Sequence, residues 1–159
     1  ERPAEEKVGK EKRQHKGCCL CFEMTEIAKS QKSQRFRDKS DKGYHKLIIW
    51  QKAKLFVSAI YAATDGFPKA EEFGLKGQIR RATVSVVLNI VEGYRRRSTK
   101  DFLRFLDIAQ ASLAETEACL EIALDLNYFS NEEYEKLEEN RCEIGFMLNS
   151  FIKSLRNKV

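Results

Sequence analysis

Basic side chains are concentrated in the middle of the sequence, where they can bind phosphate groups. Residues 76–104 contain eight lysines and arginines but two acidic residues. Tyr94 lies in this segment and offers a ring on which a nucleic-acid base can stack. Because guanidinium and ammonium groups attract phosphate, this segment is the candidate nucleic-acid-binding site. Its predicted contact residues are Arg80, Arg81, Tyr94, Arg95, Arg96, Arg97, Lys100 and Arg104.

The same basic segment has two other interpretations, and composition does not decide between them. Arginines near a helix end complement the helix dipole and pair with carboxylates, here within an oligomer. Alternatively, they bind other anions. Residues 105–159 contain five basic and eleven acidic residues, although the net charge of the whole chain is +5. This division into a basic zone and an acidic zone indicates more about partners than the total charge does.

Residues suited to catalysis are scarce. The two histidines are His15 and His45, and neither stands in a recognisable pattern with a nucleophile. Glu115, Glu117 and Glu121 suggest a carboxylate metal site, but the Glu-x-x-His motif of diiron bundles does not accompany them. We interpret His45 as a surface or capping residue and the glutamates as a solvated or interface face. The sequence therefore predicts a protein that is not an enzyme and binds no cofactor.

The five cysteines do not have the spacing of a disulfide framework or a zinc finger. A candidate ligand cluster comprises His15, Cys18, Cys19 and Cys21. It contains one Cys-x-x-Cys pair, but no second pair follows at zinc-site spacing, so we predict incidental thiols and no metal. Cys119 and Cys142 fall at apolar positions of helical patterns and are predicted to be small core residues.

Residues 1–43 lack a sustained apolar period and predict a disordered, basic N-terminal tail. A sharper interpretation is a basic arm that contacts nucleic acid. Met24 is a candidate translational start within this segment, in which case residues 1–23 are an extension. No run approaches the roughly 18 apolar residues of a membrane span, and the N-terminus lacks the apolar region of a signal peptide. We expect a cytoplasmic protein without a membrane partner.

The elements that position the basic segment are helices. Apolar residues recur at steps of three and four from residue 44 onwards, and few glycines or prolines interrupt them. The predicted helices span about 45–64, 70–97, 99–127 and 131–157, with a break near Gly74 in the second. Their short connections predict an all-α, up-down-up-down four-helix bundle over residues 44–159.

The first and second predicted helices carry distinct apolar faces. In the first, Leu47, Trp50, Lys54, Val57 and Tyr61 form the predicted face, and Ile48, Leu55, Phe56 and Ala59 add apolar residues on the neighbouring face. In the second, it consists of Ile79, Ala82, Val86, Ile90 and Gly93. The second helix has further apolar residues on its other faces, namely Val84, Val87, Leu88 and Val91. Because a bundle helix normally has one outer face, this surplus predicts a subunit interface.

One polar row also runs along the second predicted helix, at steps of three and four residues. It comprises Gln78, Arg81, Ser85, Asn89, Glu92 and Arg96. We assign Gln78, Ser85, Asn89 and Glu92, together with Glu115, to hydrogen bonds that fix the register across the bundle or a subunit interface. Such groups require partners, since each unpaired buried group costs roughly 1–3 kcal/mol.

Three motifs in order carry a family resemblance. They are Gln78-Ile-Arg-Arg-Ala82, Ser85 with Asn89-Ile-Val-Glu-Gly93, and Ser112-Leu-x-Glu115-x-Glu117, preceded by Trp50-x-x-Ala53. Over residues 44–157 the chain resembles the bacterial four-helix-bundle proteins encoded within intervening sequences of 23S ribosomal RNA genes, often labelled S23 ribosomal proteins. That family includes the accessory variability determinant proteins of diversity-generating retroelements. Val91 stands where the family's motif has alanine.

The resemblance implies a ring-like homopentamer with a positively charged surface and no catalytic activity. In the retroelement relatives it implies binding to nucleic acid and to a reverse transcriptase. We therefore expect an oligomeric protein that binds RNA or DNA through its basic zone. The alternative is a protein-interaction scaffold, for example a reverse-transcriptase accessory protein or a ribosome-associated protein, with no direct nucleic-acid role.

Overall fold

The computed structural model describes residues 43–157, and all of the regular secondary structure in this range is helical. Its four α-helices are α1 (Ile48–Ala63), α2 (Leu75–Arg95), α3 (Thr99–Asp125) and α4 (Asn131–Arg156). Short 3-10 turns cover Gly43–Lys46 and Lys69–Glu71. No β-strand occurs among these residues. The all-α prediction is confirmed, and the break expected near Gly74 is confirmed by the start of α2 at Leu75.

Pairs of residues in contact show that neighbouring helices run antiparallel. Thr64, just after α1, accepts a hydrogen bond from Arg80 near the start of α2. Gln110 on α3 donates to Asn149 near the end of α4 over 2.7 Å. The α2–α3 pair follows the same rule and has the most extensive packing. Since α1 also packs against α4, the helices form a closed up-down-up-down bundle.

The core lies between the four helices, and α2 buries the face that its sequence predicts. Ile79, Val86 and Ile90 are at most 1% exposed. The buried α2 residues also include Ala82 and Gly93. Phe102, Leu106 and Leu113 on α3 pack in the same apolar cluster. The α2–α3 seam is therefore a continuous part of the core and carries the basic segment on its ends and outer side.

The buried face of α1 is rotated about the helix axis relative to the face that is predicted to be buried. The buried residues are Ile49, Ala53, Phe56 and Ile60. Tyr61, which the sequence placed in the core, is exposed, and Trp50 is only partly buried. Two apolar stripes run along this helix, so periodicity alone identifies neither as the inner one. Contact with α2 and α4 selects the stripe without a lysine, because burying Lys54 would desolvate its ammonium group.

Capping residues define where α3 and α4 begin. Ser98-x-x-Asp101 resembles a capping box: the Ser98 hydroxyl oxygen accepts a 3.0 Å hydrogen bond from the Asp101 amide, while the hydroxyl itself donates to the Asp101 carboxylate. Ser130-Asn-Glu-Glu133 has the sequence of a capping box, and Ser130 and Glu133 form the complete reciprocal pair at the start of α4. The first helix begins at Ile48, three residues later than predicted, because residues 43–46 form a 3-10 turn.

Cys119 and Cys142 are both predicted to be core residues, and the prediction is confirmed for one of them. Cys119 is buried, as predicted, whereas Cys142 is exposed, and its assignment to the core is wrong. The position of Cys142 on α4 places it beside charged partners, since its thiol lies 3.3 Å from Glu138 Oε1. The predicted tail, its zinc-like cluster and Met24 lie outside the described residues, except for Gly43.

Candidate nucleic-acid interface

The turn between α2 and α3 presents the predicted basic residues at one end of the bundle. The last α2 residue is Arg95, and Arg96 adopts an extended backbone with φ −71° and ψ 152°. Ser98 then caps α3, so Arg96 and Arg97 are held between two fixed helix ends. The side chains from residue 95 to 100 are all exposed. Five basic residues and one acidic residue give residues 95–104 a net charge of +4.

Three of these cations have neither a carboxylate nor a ring partner among residues 43–157. Arg97, Lys100 and Arg104 are exposed and form no ion pair in this part of the chain. Six cations elsewhere in the bundle are paired with carboxylates. These are Lys52 with Glu143, Lys76 with Glu72, Arg80 with Asp65, Lys136 with Glu132, Arg141 with Glu117 and Glu138, and Arg156 with Asp107. The turn thus brings several unpaired positive charges together at one end of the bundle.

Two further arginines of the turn make partial contacts within the protein. The Arg96 guanidinium pairs with Glu92, as the sequence spacing predicts, and lies 4.7 Å from the centre of the Phe105 ring. The Arg95 guanidinium lies 5.8 Å from the centre of the Tyr44 ring. Both side chains remain exposed, so each can also meet a phosphate. Because both guanidinium groups already lie over aromatic rings, each arginine side chain has fewer rotamers to lose when a ligand binds.

Arg80 and Arg81 lie on α2 away from the turn, and they differ in how accessible they are to a ligand. Arg80 donates to Thr64 Oγ1 over 2.9 Å and to the Tyr61 carbonyl oxygen over 3.1 Å. Its guanidinium also lies 4.5 Å from the centre of the Tyr61 ring. These contacts hold the end of α1 against α2, so we exclude Arg80 from the interface. Arg81 is exposed and donates to Gln78, near the other end of α2 from the turn.

Tyr94 is placed inside an aromatic cluster. Its ring centre lies 6.4 Å from that of Tyr44 and 6.5 Å from that of Phe102, with both contacts edge to face. The residue is half-buried and packs against the core. Because it is half-buried within this cluster, Tyr94 supports the turn and is a poor platform for a base.

In the polar row of α2, Gln78 and Ser85 are hydrogen-bonded to α3, whereas Asn89 and Glu92 contact Ser85 and Arg96 of the same row. The Ser85 and Ser112 hydroxyl oxygens lie 2.9 Å apart, and Asn89 donates to the Ser85 carbonyl oxygen over 2.8 Å and to its hydroxyl oxygen over 3.0 Å. Ser112 donates to the Ile108 carbonyl oxygen, so Ser85 must donate to Ser112, because a hydroxyl has one proton. Gln78 and Glu115 add a further bridge between the two helices.

The acidic residues of α3 do not form a metal site in the described part of the chain. Glu115 accepts the Gln78 hydrogen bond, whereas Glu117 pairs with Arg141 on α4 over 3.0 Å. The hydrogen bonds accepted by Glu138 raise the pKa of the Arg141 guanidinium. Glu121 is exposed. No group of three or more metal-ligating side chains occurs within residues 43–157.

Sequence reasoning missed a second group of rings beside the basic turn. Tyr44, His45 and Trp50 have ring centres 4.4 to 5.3 Å apart, and His45 is exposed. The 3-10 turn that carries Tyr44 and His45 is fastened to α1, since Gln51 donates to the His45 carbonyl oxygen over 2.7 Å. The sequence signal is the run Gly-Tyr-His followed by Trp50, but only the fold places it next to Arg95.

Comparison with known proteins assigns the chain to a family. The profile described as "23S rRNA-intervening sequence protein" matches residues 45–150. The chain belongs to this family. A crystal structure of a protein of unknown function from the S23 ribosomal protein family, from Bacteroides thetaiotaomicron VPI-5482, matches with a TM-score of 0.62 and 31% sequence identity. The match covers 67% of this chain and 99% of that one. A search of curated proteins finds no match.

Membership in the 23S rRNA-intervening sequence protein family confirms the resemblance carried by the three motifs. The matched region begins at His45 and ends at Ser150, and it therefore includes the whole basic turn. None of the helices within residues 43–157 is long and apolar enough to cross a bilayer.

Proposed function

We propose that this chain is a non-enzymatic, homo-oligomeric protein that binds RNA or DNA through the turn between α2 and α3. The observation that supports this most is that three cations without carboxylate partners, Arg97, Lys100 and Arg104, lie together at one turn, whereas six cations elsewhere in the bundle are paired. A row of such charges releases counterions when phosphates replace them, which favours binding. The proposed cytoplasmic location suits a nucleic-acid partner.

The geometry of the turn also suits a phosphate backbone. Arg97 and Lys100 flank the N-terminus of α3, a helix of 27 residues, and the positive end of its dipole adds to their charge. Arg95 and Arg96 extend the basic surface along the end of α2. Glu92 and Asp101 are the nearby acids: Glu92 pairs with Arg96 of this surface, and Asp101 accepts a hydrogen bond from the Ser98 hydroxyl. Five basic and two acidic residues still leave residues 92–104 with a net charge of +3.

A salt titration of labelled single-stranded RNA tests the proposal. We expect log affinity to fall linearly with log salt concentration, with about 0.7 of slope for each phosphate contact on a single strand. Arg97→Ala should weaken binding and reduce the slope by about that amount. Lys69→Ala is the matched control, because it removes one exposed charge near the start of α2, at the other end of that helix. Absence of binding at low salt would overturn the proposal.

Exposed apolar residues on α2 and α3 support the oligomeric part of the proposal. Leu88 is 61% exposed, and Ile108 and Ile122 are 39% and 48% exposed. Leu88 belongs to the surplus apolar surface of α2 that the sequence assigns to a subunit interface. A second copy would bury this surface, and the homopentamer implied by the family resemblance is the assembly we propose. A ring would present several basic turns to one strand and increase affinity by avidity.

The same exposed apolar surface supports the alternative function, a protein-interaction scaffold. In that case a partner protein, such as a reverse transcriptase or a ribosome-associated protein, covers Leu88 and its neighbours, and the arginines pair with carboxylates of the partner. Nucleic-acid binding and scaffolding make opposite predictions for the titration. If the protein is a scaffold, we expect RNA binding that is weak or absent at every salt concentration. Arg97→Ala should then leave the RNA affinity unchanged.

A further inference from the structure

We infer that the aromatic cluster of Tyr44, His45 and Trp50 is a stacking platform for unpaired bases, so that the basic turn preferentially binds single-stranded nucleic acid. The inference rests on the proposed function and names the class of ligand. A single strand offers free base faces, whereas the bases of a duplex are stacked on one another. Proteins that bind single strands combine a basic surface with exposed rings.

The cluster has the required composition. The His45 ring centre lies 4.4 Å from that of Tyr44 and 4.5 Å from that of Trp50, so the imidazole packs against both larger rings. His45 is exposed, while Tyr44 and Trp50 are half-buried. The Lys54 ammonium lies 5.7 Å from the Trp50 ring centre. A ring accessible to solvent is thus backed by two supporting rings and bordered by a cation.

The platform adjoins the proposed phosphate-binding residues. Arg95 stacks at 5.8 Å on Tyr44, which connects the end of α2 with the 3-10 turn before α1. Tyr94 packs edge to face against Tyr44. A strand whose phosphates contact Arg95 and Arg97 can therefore place a base on His45.

The backbone holds the platform in place before a ligand arrives. The Leu47 amide donates to the Tyr44 carbonyl oxygen over 3.0 Å, and Gln51 fixes the His45 carbonyl oxygen. A Cβ on Gly43 would lie 2.4 Å from the Tyr94 hydroxyl oxygen, so the turn packs closely against α2. Such preorganisation reduces the ordering cost of binding. Mere capping of α1 would not require an exposed ring at position 45.

The test compares oligo-dT of about 16 nucleotides with a duplex of the same length. We expect His45→Ala to weaken oligo-dT binding by about fivefold or more, the lower end of what one stacked base contributes, and to leave duplex binding unchanged. Phe73→Ala is the control, because Phe73 is a 93% exposed ring in the connection before α2. His45→Ala should not alter the salt slope, since stacking releases no counterions.

Two replacements at position 45 separate stacking from charge. His45→Phe should retain oligo-dT affinity, and His45→Lys should not restore it. The reverse pattern would show an electrostatic contact and overturn the inference. Trp50 is the one tryptophan of the chain, so its fluorescence reports on the cluster directly. Oligo-dT that binds without changing this fluorescence would also overturn the inference.

These outcomes are distinguishable from failure of the proposed function. If oligo-dT and duplex bind equally and His45→Ala affects neither, the platform is wrong while nucleic-acid binding by the arginines stands. If neither of these ligands nor the labelled single-stranded RNA binds at low salt, the proposed function itself is wrong. Thermal unfolding of His45→Ala, followed by circular dichroism, verifies that the variant is folded in either case.

Discussion

The ring of Phe102 on α3 lies so close to Gly93 on α2 that a Cβ on residue 93 would come within 2.6 Å of Phe102 Cδ2. The same Cβ would lie 2.8 Å from Phe105 Cβ. Phe102 is 2% exposed and cannot turn away into solvent. Gly93 therefore allows α2 and α3 to approach each other directly beneath the basic turn, and Phe105 in turn supports Arg96.

We expect Gly93→Ala to destabilise the protein by about 1–3 kcal/mol, because an added methyl group overpacks the seam. Urea unfolding measures this change. Gly145→Ala on α4 is the matched control, since its Cβ would lie 3.5 Å from Leu113 Cδ2, an ordinary contact. There the higher helix propensity of alanine should raise stability by up to about 1 kcal/mol. Equal effects of the two substitutions would contradict the close approach at Gly93.

The Ser85–Ser112 hydrogen bond should make these two positions energetically coupled. Ser85→Ala and Ser112→Ala are each expected to cost about 0.5–1.5 kcal/mol, because each removes the same inter-helix bond. The double variant should cost less than the sum, with a coupling of about 0.5 kcal/mol or more in a double-mutant cycle of urea unfolding. Ser58→Ala, whose exposed hydroxyl donates to a carbonyl within its own helix, should change stability little. Additive effects would show that the bond does not contribute to register.

Glu133 should make stability depend on acidic pH. Hydrogen bonds from the Ser130 backbone and hydroxyl lower the pKa of the Glu133 carboxyl below its usual value of 4.5. A lowered folded-state pKa contributes stability that is present above the unfolded pKa and is lost as pH falls through the folded one. Glu133→Gln should therefore lower the urea midpoint near pH 7, and the difference should disappear in strong acid, below both pKa values. Glu139→Gln is the control, since Glu139 has no capping role among residues 43–157.

Substitution of Leu88 tests whether α2 forms a subunit interface. If a second copy covers it, Leu88→Asp places a charge in an apolar contact and should dissociate the oligomer, as measured by light scattering after size-exclusion chromatography. Leu55→Asp is the matched control, because Leu55 on α1 is exposed to a similar extent, 66% against 61%. A wild-type protein that is monomeric at all concentrations would refute the proposed assembly, and an oligomer that persists in Leu88→Asp would place the interface elsewhere.

Local signals in the sequence were sufficient for the four helices and for the starts of α3 and α4, but not for the starts of α1 and α2. Ser130 and Glu133 predict the start of α4 because a capping box depends on four consecutive residues. The buried face of α2 was also predictable, since charged and amide residues mark its opposite side. The core face of α1 was not, because Leu47 and Ile49 begin two competing apolar stripes and the choice depends on what packs against them.

For the candidate site, the sequence by itself determined which side chains are basic and that they fall near a helix end. Only the tertiary structure decided which of them are available. Arg80 is adjacent to Arg81 in the chain, yet its guanidinium donates hydrogen bonds to Thr64 Oγ1 and to the Tyr61 carbonyl oxygen at the end of α1, which runs antiparallel to α2. Similarly, His45 and Arg95 are far apart in sequence and meet at one end of the bundle through Tyr44. Residue type and periodicity are local properties, whereas the pairing of a charge depends on atoms that folding brings from elsewhere in the chain.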